Sequence, residues 1–257
     1  MRALAVHRDV VVVTSRMWQT NATVLRSGEE ALLVDAPYFP DELDALPALL
    51  EQAGFRVDAL LATHADWDHL LGRLAYPGLA LGVGEASAER LRGEPGVAQL
   101  RLREVDAEHY VERDRPLALG TWQSLPVPGY VGVGAEELEL HPAEGHTADG
   151  TAVWAPWAGV LACGDYLSPV EIPMLSPGGG LRAYRATLAR LAPLVERAEM
   201  VVPGHGAPQR QEDALRLLDE DVGYLDALER GEERPALPAG RNAAPQRAIH
   251  RENLERV

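Results

Sequence analysis

"LLATHADWDHLLG", residues 60–72, places four metal-capable side chains between two apolar runs. Leu60 and Leu61 predict a buried strand, and apolar residues return at Leu70. Between them stand two histidines and two aspartates, at positions 64, 66, 68 and 69. Packed this closely, such groups would repel and desolvate one another unless a positive charge lay among them. The stretch therefore predicts a divalent cation at the end of the strand.

Three later segments end in the same way, with a metal-capable residue directly after a predicted strand. They are "LHPAEGH" ending in His146, "VLACGD" ending in Asp165 and "MVVPGH" ending in His205. In layered α/β folds, ligand sites gather at the sheet edge where strands pass into loops. Glycines beside these residues allow tight turns and close backbone approach, at positions 145, 164, 204 and 206. The repetition predicts that distant segments share one site.

In this order, the four segments resemble the metallo-β-lactamase superfamily. "THADWDHLLG" is similar to its first motif, "EGHTADG" to the second, "LACGD" to the third and "VVPGHG" to the last. The resemblance covers most of the chain, from the first strands to the last of these loops. It implies an α/β fold, the four-layer αββα sandwich, and a metal-dependent hydrolase.

The resemblance also implies two metal ions and their ligands. The implied ligands are His64, Asp66 and His146 for the first ion, Asp68, His69 and His205 for the second, and Asp165 as the bridge. A water or hydroxide between two such cations becomes acidic enough to act as the nucleophile. Asp68 is the expected proton carrier. Tyr166, directly after the bridge, either donates to a developing oxyanion or only packs.

Asp66 departs from the superfamily pattern, which usually has histidine at this position. A carboxylate ligand favours iron or manganese over zinc, and it adds negative charge to the site. It should therefore make a bound water less acidic and move hydrolysis above neutral pH. Alternatively, Asp66 does not bind the metal itself and instead contacts a residue that does. The flavodiiron reductases are relatives with a carboxylate here, a glutamate, but nothing in this sequence indicates their flavodoxin domain.

The composition narrows the classes of partner. The chain has 257 residues, 46% hydrophobic, with a formal net charge of −15. Such an acidic chain disfavours nucleic acid and anionic membranes as partners. There is no lysine, which excludes Schiff-base lysines and phosphate-loop lysines. Cys163 is the only cysteine, so no intrachain disulfide can form, and we expect it to be buried and inert.

The N-terminal stretch "MRALAVHRDVVVVTS" predicts a strand pair rather than a signal peptide. No run approaches the ~18 apolar residues of a membrane span. We therefore expect a cytoplasmic protein, a setting that does not favour β-lactam cleavage. Taken singly, a histidine is more often a capped or solvated side chain than a ligand, and this is our expectation for His7, His109, His141 and His250.

Strand and helix patterns alternate along the chain. Strands are predicted at 10–17, 21–27, 30–37, 57–63, 79–83, 136–146, 151–156, 159–165 and 199–205, and helices at 41–54, 85–92, 181–198 and 211–229. Prolines scattered through 97–135 favour short strands there. The organisation is one metallohydrolase domain, 1–230, followed by a Pro/Ala/Arg-rich tail, 231–257. We expect this tail to be extended or loosely packed and peripheral, with a weakly amphipathic helix at 246–257 that docks on a partner subunit or on its own chain.

We predict a dinuclear hydrolase that uses zinc, iron or manganese and acts on a small ester, thioester or lactone. Its partner would be a small-molecule substrate, with a homodimer possible. The loop 167–180 and the segment 36–42 are the candidate substrate walls. Two alternatives stay open: a di-iron redox or oxygen-binding protein of the flavodiiron type, and a metal-stabilised binding module without turnover.

Overall fold

The computed structural model of the chain describes residues 1–232, 237–238 and 240–257. Across these residues the strands form two sheets. The first has seven strands in sequence order: β1 (Arg2–His7), β2 (Val10–Thr14), β3 (Asn21–Ser27), β4 (Glu30–Val34), β5 (Val57–Ala62), β6 (Ala80–Gly84) and β7 (Gln123–Leu125). β1 to β4 pair antiparallel, whereas β4 to β7 are parallel.

The second sheet has six strands within the described ranges. In spatial order they are β13 (Gln209–Arg210), β12 (Met200–Val202), β11 (Val160–Ala162), β10 (Thr151–Ala155), β9 (Glu136–Pro142) and β8 (Gly129–Val133). β11 and β12 pair in parallel, with Ala162 opposite Val202. This register carries the next residues of both chains to the same edge, so Asp165 and His205 leave the sheet side by side.

Helices cover the outer face of each sheet. α1 (Pro40–Gln52), α2 (Gly72–Ala75), α3 (Glu85–Gly93) and α4 (Val97–Glu108) pack on the first sheet, and α5 (Leu181–Val195), α6 (Gln211–Glu229) and α7 (Ala244–Leu254) on the second. None of the described helices combines the length and the apolar character that crossing a membrane requires.

β2 shows why these layers form. Val10 and Val12 point into the core between the sheets, whereas Val11 and Val13 point to the helices on the outer face. Both faces of the strand are buried, which explains its uninterrupted apolar run. Each fully buried valine or leucine contributes about 1.5–3 kcal/mol to folding. The result is the predicted four-layer αββα sandwich.

The region 97–135 differs from the prediction, because its first part is the helix α4 rather than strands. The helical pattern is hidden in the sequence. Val97 and Leu100 are exposed on this helix, whereas the charged Asp106 is buried. Apolar spacing alone therefore does not mark the buried face.

The prediction of an extended or loosely packed tail is wrong for the tail residues from 240 onward. The helix predicted within this tail is present as α7, and of the two docking alternatives it shows docking on its own chain, where Ile249 packs against the core formed by α5 and α6. Arg241 is 1% exposed and forms a 2.5 Å ion pair with Asp221 of α6. Residues 233–236 and 239, which also belong to the predicted tail, lie outside the described residues.

Candidate metal centre

The bridging aspartate of the sequence analysis lies between two pairs of histidines. Asp165 Oδ2 is 3.2 Å from Nε2 of His146 and 3.9 Å from Nε2 of His64. Its other oxygen, Oδ1, is 3.2 Å from Nε2 of His69 and 3.5 Å from Nε2 of His205. Each carboxylate oxygen thus faces a different pair of imidazoles.

Two further aspartates complete these groups. Asp66 Oδ2 lies 3.7 and 3.6 Å from Nε2 of His64 and His146. Asp68 Oδ2 lies 3.6 and 3.5 Å from Nε2 of His69 and His205. Among the described residues, the groups able to hold a metal ion are His64–Asp66–His146, Asp68–His69–His205 and His64–His69–Asp165.

Asp35 orients the two histidines of the first motif. Its Oδ2 accepts hydrogen bonds from His69 Nδ1 at 2.9 Å and from the Thr63 hydroxyl at 2.8 Å. Because that hydroxyl proton goes to Asp35, the Thr63 oxygen accepts from Nδ1 of His64 at 3.1 Å. Both rings then carry their proton on Nδ1 and turn the Nε2 lone pair toward the centre. The sequence reasoning missed Asp35, although an aspartate directly after a buried strand was visible.

The other two histidines are oriented by backbone carbonyls. His146 Nδ1 donates to Met174 O at 3.0 Å, and His205 Nδ1 donates to Trp18 O at 3.3 Å. A carbonyl only accepts, so these rings too place their proton on Nδ1. All four histidines therefore present the same nitrogen, Nε2, to the centre.

The chemistry of the centre fits a divalent metal ion. Within the described part of the chain, four of its polar atoms are buried without a hydrogen-bond partner: Nε2 of His64, His69 and His146, and Oδ1 of Asp165. An unsatisfied buried polar atom costs about 1–3 kcal/mol, so the arrangement needs a partner for these lone pairs. Ligand atoms on one tetrahedral zinc ion lie about 3.3 Å apart, close to the separations found here.

Carboxylates raise the pKa of three histidines in this centre, His69, His146 and His205. Burial alone would lower the pKa of His146, but Asp165 and Asp66 raise it from 6.5 to about 9. Burial acts in the same direction on His205, where Glu171 and Asp165 raise the pKa to about 10. A cation would replace these protons, because only neutral imidazole binds metal. Glu171, on the 167–180 loop, is a further carboxylate that the sequence reasoning missed.

Gly204 permits the close approach of the third and fourth motifs. A Cβ at this position would lie 2.1 Å from Asp165 Oδ1 and 3.1 Å from His69 Cε1. Such a contact would displace the carboxylate oxygen that faces His69. The glycine before the last histidine is therefore required by packing around Asp165.

Of the two roles considered for Tyr166, donation to an oxyanion or packing alone, its surroundings favour packing. Its side chain is buried, and its hydroxyl donates to Ala143 O and accepts from the amide of His146, both at 3.0 Å. With its one proton used on a backbone carbonyl, Tyr166 supports the second motif instead of facing an oxyanion. Cys163 is a free, buried cysteine whose thiol donates to backbone carbonyls.

A cleft of about 360 Å³ opens beside Asp66. Its lining includes Trp67, Leu91 of α3, and Ser176 and Pro177 of the 167–180 loop. The second candidate wall, 36–42, lies behind this lining, with the Tyr38 ring 5.7 Å from that of Trp67.

The aromatic wall at the centre includes one residue that the sequence reasoning missed. Trp18 is 44% exposed, and its ring lies 5.6 Å from the Trp67 ring and 6.5 Å from the His205 ring. Trp18 and the next residue, Gln19, both have positive φ, at 48° and 53°. Non-glycine residues in this region are uncommon and cluster at functional sites.

α7 braces the loop that orients His146. The amide of Ile172 donates to Gln246 Oε1, and the amide of Leu175 donates to Asn253 Oδ1, both at 2.8 Å. Asn253 also donates to Pro173 O at 2.7 Å. These bonds hold the backbone on both sides of Met174, whose carbonyl accepts from His146. The C-terminal helix thus supports the candidate metal centre through one intervening loop.

The comparisons agree with this fold. A sequence-family model described as the metallo-β-lactamase superfamily matches residues 16–77. The chain is similar to a metallo-β-lactamase from Pontibacter korlensis, with 20% identity over 85% of this chain and 98% of that chain and a TM-score of 0.62. It is also similar to a metallo-β-lactamase family protein from Thermus thermophilus, with 20% identity. That match covers 91% of this chain and 86% of that chain, with a TM-score of 0.65.

A third similar structure is that of a protein solved in a di-iron-bound form. Its sequence is 26% identical to that of this chain. The match covers 80% of this chain and 97% of the other protein, with a TM-score of 0.63. The chain therefore has the metallo-β-lactamase fold, and its residues 16–77 match the model of that superfamily, whose members are mostly metal-dependent hydrolases.

Proposed function

We propose that the chain is a dinuclear metal-dependent hydrolase of a small ester, thioester or lactone. The observation that carries this proposal is the position of Asp165, whose two oxygens face two separate groups of ligand atoms. Seven convergent ligands exceed what one ion needs. The first ion would be held by His64, Asp66 and His146, the second by Asp68, His69 and His205, and both by Asp165.

A bound metal pair supplies Lewis acidity toward a carbonyl oxygen and a water acidic enough to attack it. The chain's own part is to hold, orient and move protons. Asp68 is the carboxylate at the second group, and it takes the proton from the attacking water and returns it to the leaving group. Asp35 and the Met174 carbonyl keep the imidazoles in the tautomer that leaves Nε2 free.

The cleft beside Asp66 supports a small substrate. Its volume of about 360 Å³ lies near the lower end of ligand pockets, which run from roughly 300 to 1,000 Å³. Trp67 and Leu91 offer apolar surface for an acyl group. The net charge of −15 argues against nucleic acid and anionic membrane surfaces as partners.

The alternative is a di-iron redox protein. It is favoured by the carboxylate of Asp66, an oxygen donor that suits iron, and by the 26% identity to a protein solved in a di-iron-bound form. An electron-transfer role predicts that an iron-loaded protein reacts with oxygen or nitric oxide when reduced, and that it does not hydrolyse esters.

One experiment separates these functions. The metal-free protein is reconstituted separately with zinc, manganese and ferrous iron, and its metal content is measured by elemental analysis. Each form is then assayed on an ester, a thioester, a lactone and a phosphodiester. We expect two ions per chain and turnover of a carboxylic ester, thioester or lactone. At most one ion per chain would exclude the dinuclear model, and two ions without hydrolysis would favour the redox or binding alternative.

A further inference from the structure

Arg90 contacts the one residue of the centre that departs from the superfamily pattern. Asp66 turns Oδ2 toward His64 and His146, whereas its other oxygen, Oδ1, accepts from Arg90 Nη2 at 2.7 Å. The two oxygens therefore have separate partners. Only one of them faces the metal centre.

Arg90 is itself held in place by buried groups. Its Nη1 donates to Asp149 Oδ1 at 2.8 Å. Asp149 is 1% exposed, and its second oxygen accepts from the amide of Ala65, the residue directly before Asp66. Arg90 on α3, Asp149 of the second motif and the backbone of the first motif thus form one connected network.

The network holds three carboxylates, those of Asp66, Asp149 and Glu94, around the one guanidinium of Arg90. At the first metal group itself, the contacting pair is Asp66 and Arg90, and this pair can be compared with a histidine ligand. An aspartate in place of a histidine ligand adds one negative charge to the first metal group. Arg90 adds one positive charge at hydrogen-bond distance from that carboxylate, and a guanidinium keeps its charge at any ordinary pH. The pair together has the charge of a neutral imidazole. Half-buried charges at this distance are only weakly screened by salt.

We propose that Asp66 and Arg90 act as a unit that takes the place of a histidine ligand, with Arg90 as the positioning residue. Arg90 binds one carboxylate oxygen, leaves the other for the first ion and offsets the charge of Asp66. This inference rests on the proposed metal centre. It follows that histidine at position 66 suits the first site only when the positive charge at position 90 is also removed.

A double-mutant cycle on the full chain tests this coupling. The affinity of Zn²⁺ for the metal-free protein is measured by competition with a chromophoric chelator, so no activity is needed. The first-site binding event is the one that His64→Ala abolishes. We expect Asp66→His to weaken it at least about 10-fold, as changes to groups that contact metal ligands commonly do. Arg90, still held by Asp149 and Glu94, then directs an Nη2–H group without its carboxylate acceptor toward the new imidazole and the cation. In an Arg90→Gln background, the same substitution should cause no weakening.

Arg92→Gln is the matched control, since Arg92 is an exposed arginine on the same helix. In that background Asp66→His should weaken the first site as much as in the wild type. If Arg90→Gln does not fold, Arg90→Met, which keeps an unbranched stem, replaces it in the cycle. Equal effects of Asp66→His in both backgrounds would overturn the coupling while leaving the dinuclear centre intact. A wild-type chain that binds no Zn²⁺ would overturn the metal centre, and the coupling with it.

Discussion

Asp66 brings a hard oxygen donor to the first metal group, where an imidazole nitrogen would be softer. The sequence argument for iron or manganese rested on this donor and on its negative charge. Under the proposal that Arg90, 2.7 Å from Asp66 Oδ1, offsets this charge, the charge gives no support to a reaction optimum above neutral pH. The argument from the donor atom is unaffected.

The first prediction concerns metal preference. Given equal amounts of zinc and manganese, the wild-type chain should retain manganese at the first site more than a three-histidine site would. The double variant Asp66→His/Arg90→Gln should shift retention toward zinc. Elemental analysis after equilibration and desalting measures both. Identical zinc retention by the wild type and the double variant would show that the Asp66 oxygen does not set the preference.

The second prediction concerns Asp165, which faces both ligand groups. Asp165→Ala should lower the metal content from two ions to at most one per chain and reduce turnover to background, because a bridging carboxylate serves both ions. Elemental analysis and the hydrolysis assay check it. His141→Ala is the control, since His141 lies on β9 and pairs with Glu139. If the variant still bound two ions per chain, Asp165 would not be the bridging ligand.

At the scale of elements, the parallel pairing of β11 with β12 determines which residues meet. Opposed residues Ala162 and Val202 place Asp165 and His205 at equal distances beyond their strands. α7 then completes the support on the outer side, through its hydrogen bonds to the 172–175 backbone. The C-terminal tail is thus part of the structure that holds the centre.

The third prediction follows from α7. Asn253 is fully buried, and it bonds the backbone on both sides of Met174. Asn253→Ala should lower the free energy of unfolding by about 1–3 kcal/mol, because it leaves buried backbone groups unsatisfied. It should also speed loss of the first ion, since the Met174 carbonyl orients His146. Urea unfolding and the rate of metal loss to a chelator measure the two effects.

Arg256→Ala is the matched control, because Arg256 is exposed near the end of the same helix. It should change neither quantity. If Asn253→Ala lowered stability and left the rate of metal loss unchanged, α7 would stabilise the fold without supporting the centre.

For the whole molecule, the raised histidine pKa values predict how the stability of the metal-free protein depends on pH. His146 and His205 have pKa values of about 9 and about 10 in the folded chain, against 6.5 ordinarily. Between pH 6.5 and about 10 the folded state binds more protons than the unfolded state, so stability falls as pH rises. Below 6.5 this contribution is fully present.

The fourth prediction is therefore that the chelator-treated protein unfolds at a lower urea concentration at about pH 9 than at about pH 6.5. Replacing His146 and His205 together with glutamine should weaken this dependence; His69, whose pKa Asp165 and Asp68 raise against the effect of burial, keeps the remainder. The reconstituted protein should show a weaker loss over the same range, because bound metal stabilises the neutral imidazoles. A metal-free protein that is more stable at the higher pH would contradict the charge arrangement of the centre.

Much of the fold and of the candidate centre could be predicted from local patterns. The buried strands, α6 and the residues that end each strand are each specified within a few neighbouring positions. α4 could not be predicted, because its exposed Leu100 and buried Asp106 reverse the usual apolar pattern. A helix in the tail was predicted, but its close packing was not, since buried polar side chains such as Gln246 and Asn253 hold it through hydrogen bonds.

The sequence by itself determined the order of the four motifs, the layered α/β class and the set of side chains able to hold a metal. The tertiary structure decided which groups stand behind those side chains. Arg90 and Asp149 are 59 residues apart, and Met174 lies 28 residues from His146. Contacts over such separations leave no periodic signal, because packing of the layers, rather than spacing along the chain, brings them together. The contact between Asp66 and Arg90 is therefore a property of the folded chain alone.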